Sequence, residues 1–402
     1  MGSASGLTTL GALPPFLLGA QAVWVREDLR VGLGVFGAAV SAFFAAAAVG
    51  SVLAGVLFDR AGRRTGLVAA GALVATGGLG MAGVVSGAAL LVPTMVVLGL
   101  GNACCQTAAN TSMARALPPG RRGLGFGVKQ SAVPVAIMLG GLAVPTVGGW
   151  LGWRSTFVVT AAVGVVVAVG ALLRPLPEVR AAAPEGGLPD RPPWPPLVLA
   201  GVAITFASAA ANFLGAFVAS WAAVVGMGPT AAGVLMACGS AGSVAVRILS
   251  GWRADGRHGG NLPVVAVQMF SGAVCFAGLA LGAPWAVVVF GFLAFAVGWA
   301  WPGLLLFAVA RVGRDSPARS SGVIQAGAFV GGATGPALFG SMAGAVGFER
   351  TWLAAGSCFV VAGVLVLVSR RGFAADLLSR PPREPLTWGG GRIREGEPGR
   401  RG

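Results

Sequence analysis

The chain has 402 residues, of which 55% are hydrophobic and 10% charged, with a formal net charge of +15 and a mean hydropathy of +0.82. A soluble domain carries roughly 25% charged residues. This composition could not cover a water-facing surface of the chain's own size, which excludes a soluble globular protein.

The apolar stretches are about 20 residues long, which suits membrane helices and not the roughly 10-residue strands of an outer-membrane barrel. The first, near 7–25, has no basic residue before it and runs into Arg26-Glu27-Asp28-Leu29-Arg30 without an A-x-A cleavage site. It is expected to be a retained helix and not a signal peptide. Five more helices follow near 34–57, 65–87, 90–114, 124–148 and 154–173. Residues 174–196 lack an apolar period, are rich in Pro and Gly, and read as a linker. Six further helices are expected near 197–224, 229–252, 263–283, 285–310, 320–345 and 351–369, and the tail 372–402 is expected to be disordered. The division is therefore two six-helix bundles, 1–173 and 197–371, with the linker and the tail outside them.

Charge placement sets an orientation. Of the 28 basic residues, 22 fall in the loops after helices 2, 4, 6, 8 and 10 and in the tail, and four fall on the other side. By the positive-inside rule both termini are expected in the cytoplasm, with the chain multi-pass in the plasma membrane. The same bias accounts for the basic balance without any nucleic acid. The five cysteines lie in apolar segments and read as small hydrophobes.

The most concentrated polar stretch is Gly55-Val-Leu-Phe-Asp59-Arg60-Ala-Gly62-Arg63-Arg64. A degraded copy, Gly251-Trp-Arg-Ala-Asp255-Gly-Arg257, stands 196 residues later. Arg115 and Arg311, Arg154 and Arg350, and Leu18-Gly19-Ala20 and Leu214-Gly215-Ala216 share that offset. Two similar halves in parallel orientation place a solute site between them near mid-membrane.

With these features the chain resembles the major facilitator superfamily, whose signature loop joins helices 2 and 3. Gly152-Trp153-Arg154 and the Gly- and Pro-rich fifth helix are also similar to that family. The resemblance implies an all-α membrane fold of twelve transmembrane helices in two pseudo-symmetric bundles, and transport by alternating access. It also implies a latch: Asp59 on the N-terminus of helix 11, whose dipole favours an acid, with Gly55, Arg60, Gly62, Arg63 and Arg64 shaping the loop. Gly251, Asp255 and Arg257 form the second copy. Gly256 replaces the arginine at the Arg60 position, so the stronger latch is expected on the first half. The fourth-helix arginine of proton-coupled drug exporters would fall near Met95, where this sequence departs from the pattern.

None of the 13 acids and not the single histidine, His258, falls within a helix core. That removes the usual carboxylate or histidine proton relay and any acid–base or nucleophile–histidine pair. No enzyme activity, cofactor or metal is expected. Lys129 and Arg247, in contrast, fall within helices, roughly 10 Å past the boundary at about 1.5 Å per residue. They either snorkel to the surface or serve function. Ser51 and Ile324 at the repeat positions are neutral. By resemblance, helices 5 and 8 face each other across the cavity. Arg247-Ile-Leu-Ser-Gly251 is similar to the eighth-helix segment of monocarboxylate carriers. Two cations without counter-ions suggest a small organic or inorganic anion, held bidentately by Arg247. Gln106, Asn110, Gln130, Asn212, Gln325 and Trp299 are the other candidate substrate contacts. Efflux of neutral or apolar compounds is the alternative, and a non-transporting scaffold the reading from another class. The remaining partner is the lipid bilayer, and a monomer is expected.

Overall fold

The computed structural model describes residues 2–113, 122–173, 191–256, 260–312 and 317–380, and these are helical almost throughout. Ten helices are long and apolar enough to cross a membrane, and an eleventh span is a pair bent by 71°, Ala4–Ala20 with Ala22–Leu29. One of the ten, Leu33–Gly83, has 51 residues, about 76 Å at 1.5 Å per residue. That is more than twice the roughly 30 Å of a hydrocarbon core. It breaks at Gly62 (φ 80, ψ 169), and so supplies two spans and a total of twelve.

We label the spans α1 (Gly2–Ala20, continued by Ala22–Leu29), α2 and α3 (the two arms of Leu33–Gly83), α4 (Ala88–Met113), α5 (Gly123–Leu151) and α6 (Trp153–Leu173). The second bundle is α7 (Trp194–Val224), α8 (Pro229–Asp255), α9 (Asn261–Leu279), α10 (Pro284–Val312), α11 (Pro317–Val346) and α12 (Phe348–Ser379). Two boundaries correct the sequence expectation. α7 begins at Trp194, inside the expected linker, because Pro193 and Pro195 suit a helix start, where no N–H is needed. α12 runs on to Ser379, so residues 372–379 are helix and not tail. Of the linker and tail, residues 174–190 and 381–402 lie outside the described residues. The five cysteines are free, and Cys238 is exposed, unlike the small buried hydrophobe expected there.

Small residues set the packing, as expected where lipid removes the hydrophobic drive between helices. Within the first bundle Gly71 and Gly78 of α3 lie against Gly164, Ala168 and Ala161 of α6, and Gly50 of α2 against Leu100 of α4. The bundles meet along three seams: α1 with α7 at Gly19 and Gly215, α2 with α11, and α5 with α8. At the end opposite the Gly55–Arg64 turn, Gly152-Trp153-Arg154 ties three helices together. Trp153 Nε1 donates to Asp28 at 3.1 Å, Arg154 pairs with the same carboxylate at 3.0 Å, and Arg154 also donates to the carbonyls of Met81 and Ala82.

Three connections use a single glycine in a conformation open essentially to glycine alone: Gly62, Gly152 (φ 81, ψ 159) and Gly347 (φ 88, ψ 164). Gly152 and Gly347 are repeat mates, 195 residues apart. Gly62→Ala is expected to cost about 1–3 kcal/mol, seen as a lower unfolding temperature of the purified protein in detergent. Gly55→Ala, where an added methyl meets open space, is expected to leave that temperature unchanged.

Candidate functional site

Two backbone carbonyls at the centre of the molecule lose their helical partners. Pro134 stands four residues after Gln130 and has no N–H to give its carbonyl. In α10 the π-helical turn Ala294–Gly298 ends in a break before Trp301, and Pro302 follows three residues after Trp299. The guanidinium of Arg247 fills both vacancies: Nη1 donates to the Gln130 carbonyl and Nη2 to the Trp299 carbonyl. Arg247 is only 3% exposed. It is not a snorkelling side chain. Close approach makes this possible, because Gly127 of α5 lies directly against the Arg247 carbonyl of α8.

Above Arg247 on α8 stand Ser243 and Ser240, both buried, with hydroxyls that find no partner among the described residues. With Arg247 they form a stripe at i, i+3 and i+7. Sequence reading overlooked these serines, and their spacing from Arg247 is the signal that could have found them. Aromatic rings close the site from two sides: Phe16 of α1 meets Trp299 edge-on at 5.9 Å, and Phe295 stacks on Trp299 at 6.2 Å.

Lys129 precedes Gln130 but turns to α4, where its Nζ donates to Asn110 Oδ1. Lys129 is half-buried and Asn110 exposed. Gln106, one turn along α4, is half-buried, and Gln130 packs beside Gly303 of α10. The structure therefore brings together Lys129, Asn110, Gln130, Arg247 and Trp299 at one junction of α4, α5, α8 and α10. Asn212 is elsewhere. Its Nδ2 donates to the Ser208 carbonyl and hydroxyl, and Ser208 in turn donates to the Ala328 carbonyl, so this chain of bonds ties α7 to α11. Gln325 is half-buried on α11.

The two signature stretches lie in different surroundings. Asp255 accepts hydrogen bonds from the backbone N–H groups of Gly123 and Leu124, at 2.7 and 2.9 Å. The acid ending α8 thus caps the N-terminus of α5, across the bundle interface. Gly251 packs on Gly123 and Gly127, whereas Arg257 lies outside the described residues. By the 195-residue offset of helices 5 and 11, Asp59 would stand to Ala318 and Arg319 as Asp255 does to Gly123 and Leu124. Asp59 and Arg60 are instead exposed. The α2/α11 seam is tight from Gly34 and Ser341 through Gly37 and Pro336 to Phe44 and Gly332. Beyond it, Gly55 and Gly322 each face open space. Among the described residues, the capping contact is seen on the second half. Arg64 reaches α6, where it donates to the carbonyls of Ala171 and Leu172 and caps that helix end. Arg63 is half-buried.

Two six-helix bundles around a central polar junction define a polytopic carrier of small solutes. The model of the Major Facilitator Superfamily matches residues 4–336, and the chain belongs to that family. It is 31% identical over 333 residues to a chloramphenicol resistance protein of Streptomyces lividans, covering 80% of this chain and 83% of that one. Among solved structures it resembles a bacterial homolog of the human lysosomal transporter Spinster in an inward-facing, unoccupied conformation. The TM-score is 0.71 and the identity 17%, over 93% of this chain and 97% of that one. It also resembles the nucleoside transporter NupG, with TM-score 0.70 and 13% identity over 91% and 99% of the two chains.

Two outcomes follow from these contacts. Arg247→Met leaves two buried carbonyls unsatisfied, at about 1–3 kcal/mol each. It is expected to lower the unfolding temperature before any effect on transport is considered. Asp255→Ala removes charge-assisted bonds of about 1.5–3 kcal/mol. It is expected to raise hydrogen exchange at the Gly123 and Leu124 amides by about tenfold or more, with α3 amides unaffected.

Proposed function

We propose that this transporter exports neutral, amphipathic small molecules of the chloramphenicol kind from the cytoplasm. The observation that carries this reading is the occupation of Arg247. Two of its five N–H donors go to the carbonyls of Gln130 and Trp299, which supports a structural part for Arg247 over the bidentate anion clamp expected from the sequence. What remains around the junction is Phe16, Trp299, serine hydroxyls and side-chain amides. This is an apolar wall with a few directional polar groups, the usual make-up of a site for a drug-sized neutral ligand. The identity shared with the chloramphenicol resistance protein supports the same cargo class.

In this reading the arginine-rich end faces the cytoplasm of a plasma-membrane protein that works as a monomer. The parted α2/α11 seam is the cytoplasmic mouth of the central path. Asp59 closes it by capping α11 as Asp255 caps α5. Gly55, Gly62, Arg60, Arg63 and Arg64 shape and orient the Asp59 loop, and Gly251 lets α8 close on α5. Gln106, Asn110 and Gln130 line the path, with Gln325 facing them from α11.

A second reading keeps the anion and assigns it to Lys129, whose half-buried ammonium meets only an amide oxygen among the described contacts. The two separate cleanly in proteoliposomes. Export predicts saturable counterflow of radiolabelled chloramphenicol, together with several-fold resistance in an efflux-deficient bacterial host. Counterflow of nitrate or lactate without chloramphenicol movement would replace this reading with the anion carrier.

A further inference from the structure

Lys129 is the single lysine among 28 basic residues. Elsewhere the chain meets every need for positive charge with arginine. The two side chains differ in protonation: a guanidinium keeps its charge in proteins, whereas an amine can release a proton and take it back. This one amine side chain stands inside a membrane helix, beside the carbonyl that anchors Arg247.

Its partner suits both states. Nζ donates to Oδ1 of Asn110. A carboxamide carries an acceptor oxygen and an NH2 donor. Asn110 can therefore serve the ammonium through Oδ1 and, after rotating, the neutral amine through Nδ2. A carboxylate partner would favour the charged form alone. The helices around this stretch of α5 bring few other charges. α8 offers Arg247 and, nearer its end, Asp255 on the Gly123 and Leu124 amides. α10 offers Arg311 in its last turn. The Gly2–Ala20 arm of α1 has no acid or base, and α4 has only the buried thiols Cys104 and Cys105. Asn110 is exposed and Lys129 half-buried, so the pair is not sealed off.

We propose that Lys129 is the proton-binding site of this carrier, and that one proton moves inward through it for each neutral molecule moved outward. In the outward-open state the Nζ lone pair takes a proton from external water. With the arginine-rich end parted, one N–H bond breaks, the proton passes to water, and the electron pair stays on nitrogen. Cargo and proton compete for the space beside Asn110. The cargo rests on the export reading above, whereas the proton site does not.

Because Lys129 is the only lysine, reductive methylation with carbon-13 formaldehyde labels it and, besides it, only the terminal amine. An NMR titration of the purified full-length protein then reads its protonation. The expected result is a resonance that titrates reversibly across the physiological pH range. A resonance fixed at its ammonium position throughout that range overturns the proposal, whatever the protein transports. In proteoliposomes the wild type is expected to accumulate chloramphenicol under an imposed pH gradient. Lys129→Arg and Lys129→Gln are expected to lose that accumulation, and gradient-driven accumulation by either variant also overturns the proposal. If the wild type moves no chloramphenicol at all, the cargo reading fails and the titration alone decides the proton site.

Discussion

The guanidinium of Arg247 joins three helices by filling two defects in their backbones. Pro134 frees the carbonyl of Gln130 in α5, and the break before Trp301 frees that of Trp299 in α10. A buried carbonyl without a donor is costly, and so is a buried cation without acceptors. The two contacts meet both needs in part, with the Arg247 Nε left without a partner among the described residues. Because α5 belongs to the first bundle and α8 and α10 to the second, this one side chain also spans the bundle interface. The helix distortions that a moving carrier needs are held in place by the same contact that holds its halves together.

The duplication gives two equivalent seams, α2 with α11 and α8 with α5, and the structure holds them in different states. On the second, an acid and a row of glycines keep the helices in contact from Gly141 and Gly233 to Gly123 and Gly251. On the first, glycine packing runs as far as Phe44 and Gly332, and Gly55 and Gly322 beyond it face open space. Both signature turns lie at the same end of the molecule, so the duplicated seams differ in how far that one end is closed. The residues that differ between the copies follow the same division. Arg247 and Lys129 have the neutral mates Ser51 and Ile324, so the central charges all lie along the α5/α8 seam.

Much of this could be read from the sequence. Span length, the 196-residue period and the arginine bias gave the helix count and the two halves, because membrane burial imposes a one-dimensional pattern on composition. The meeting of helices 5 and 8, expected from the resemblance, is seen where Arg247 reaches the Gln130 carbonyl. What the side chains do there was not legible. The backbone acceptors of Arg247 stand beside prolines on other helices, which no local pattern connects to it. The bonds of Asn212 to Ser208 within the second bundle likewise had no mark in the sequence. The two serines above Arg247 passed unnoticed, since serine is common in helix interfaces of every kind. The bend at Gln21, whose Nε2 reaches Leu17 and Thr156, depends on a partner 135 residues away and left no mark in hydropathy.

The single-residue turns at Gly62, Gly152 and Gly347 also bear on how this protein enters its membrane. A span joined to the next by one residue has no slack for its partner to wait outside, and an unpaired backbone cannot rest within the hydrocarbon layer. The pairs α2–α3, α5–α6 and α11–α12 are therefore units of insertion, each entering as a closed hairpin during synthesis. The same brevity makes them poor places for an inserted tag or label, in contrast to the longer connection between the two halves.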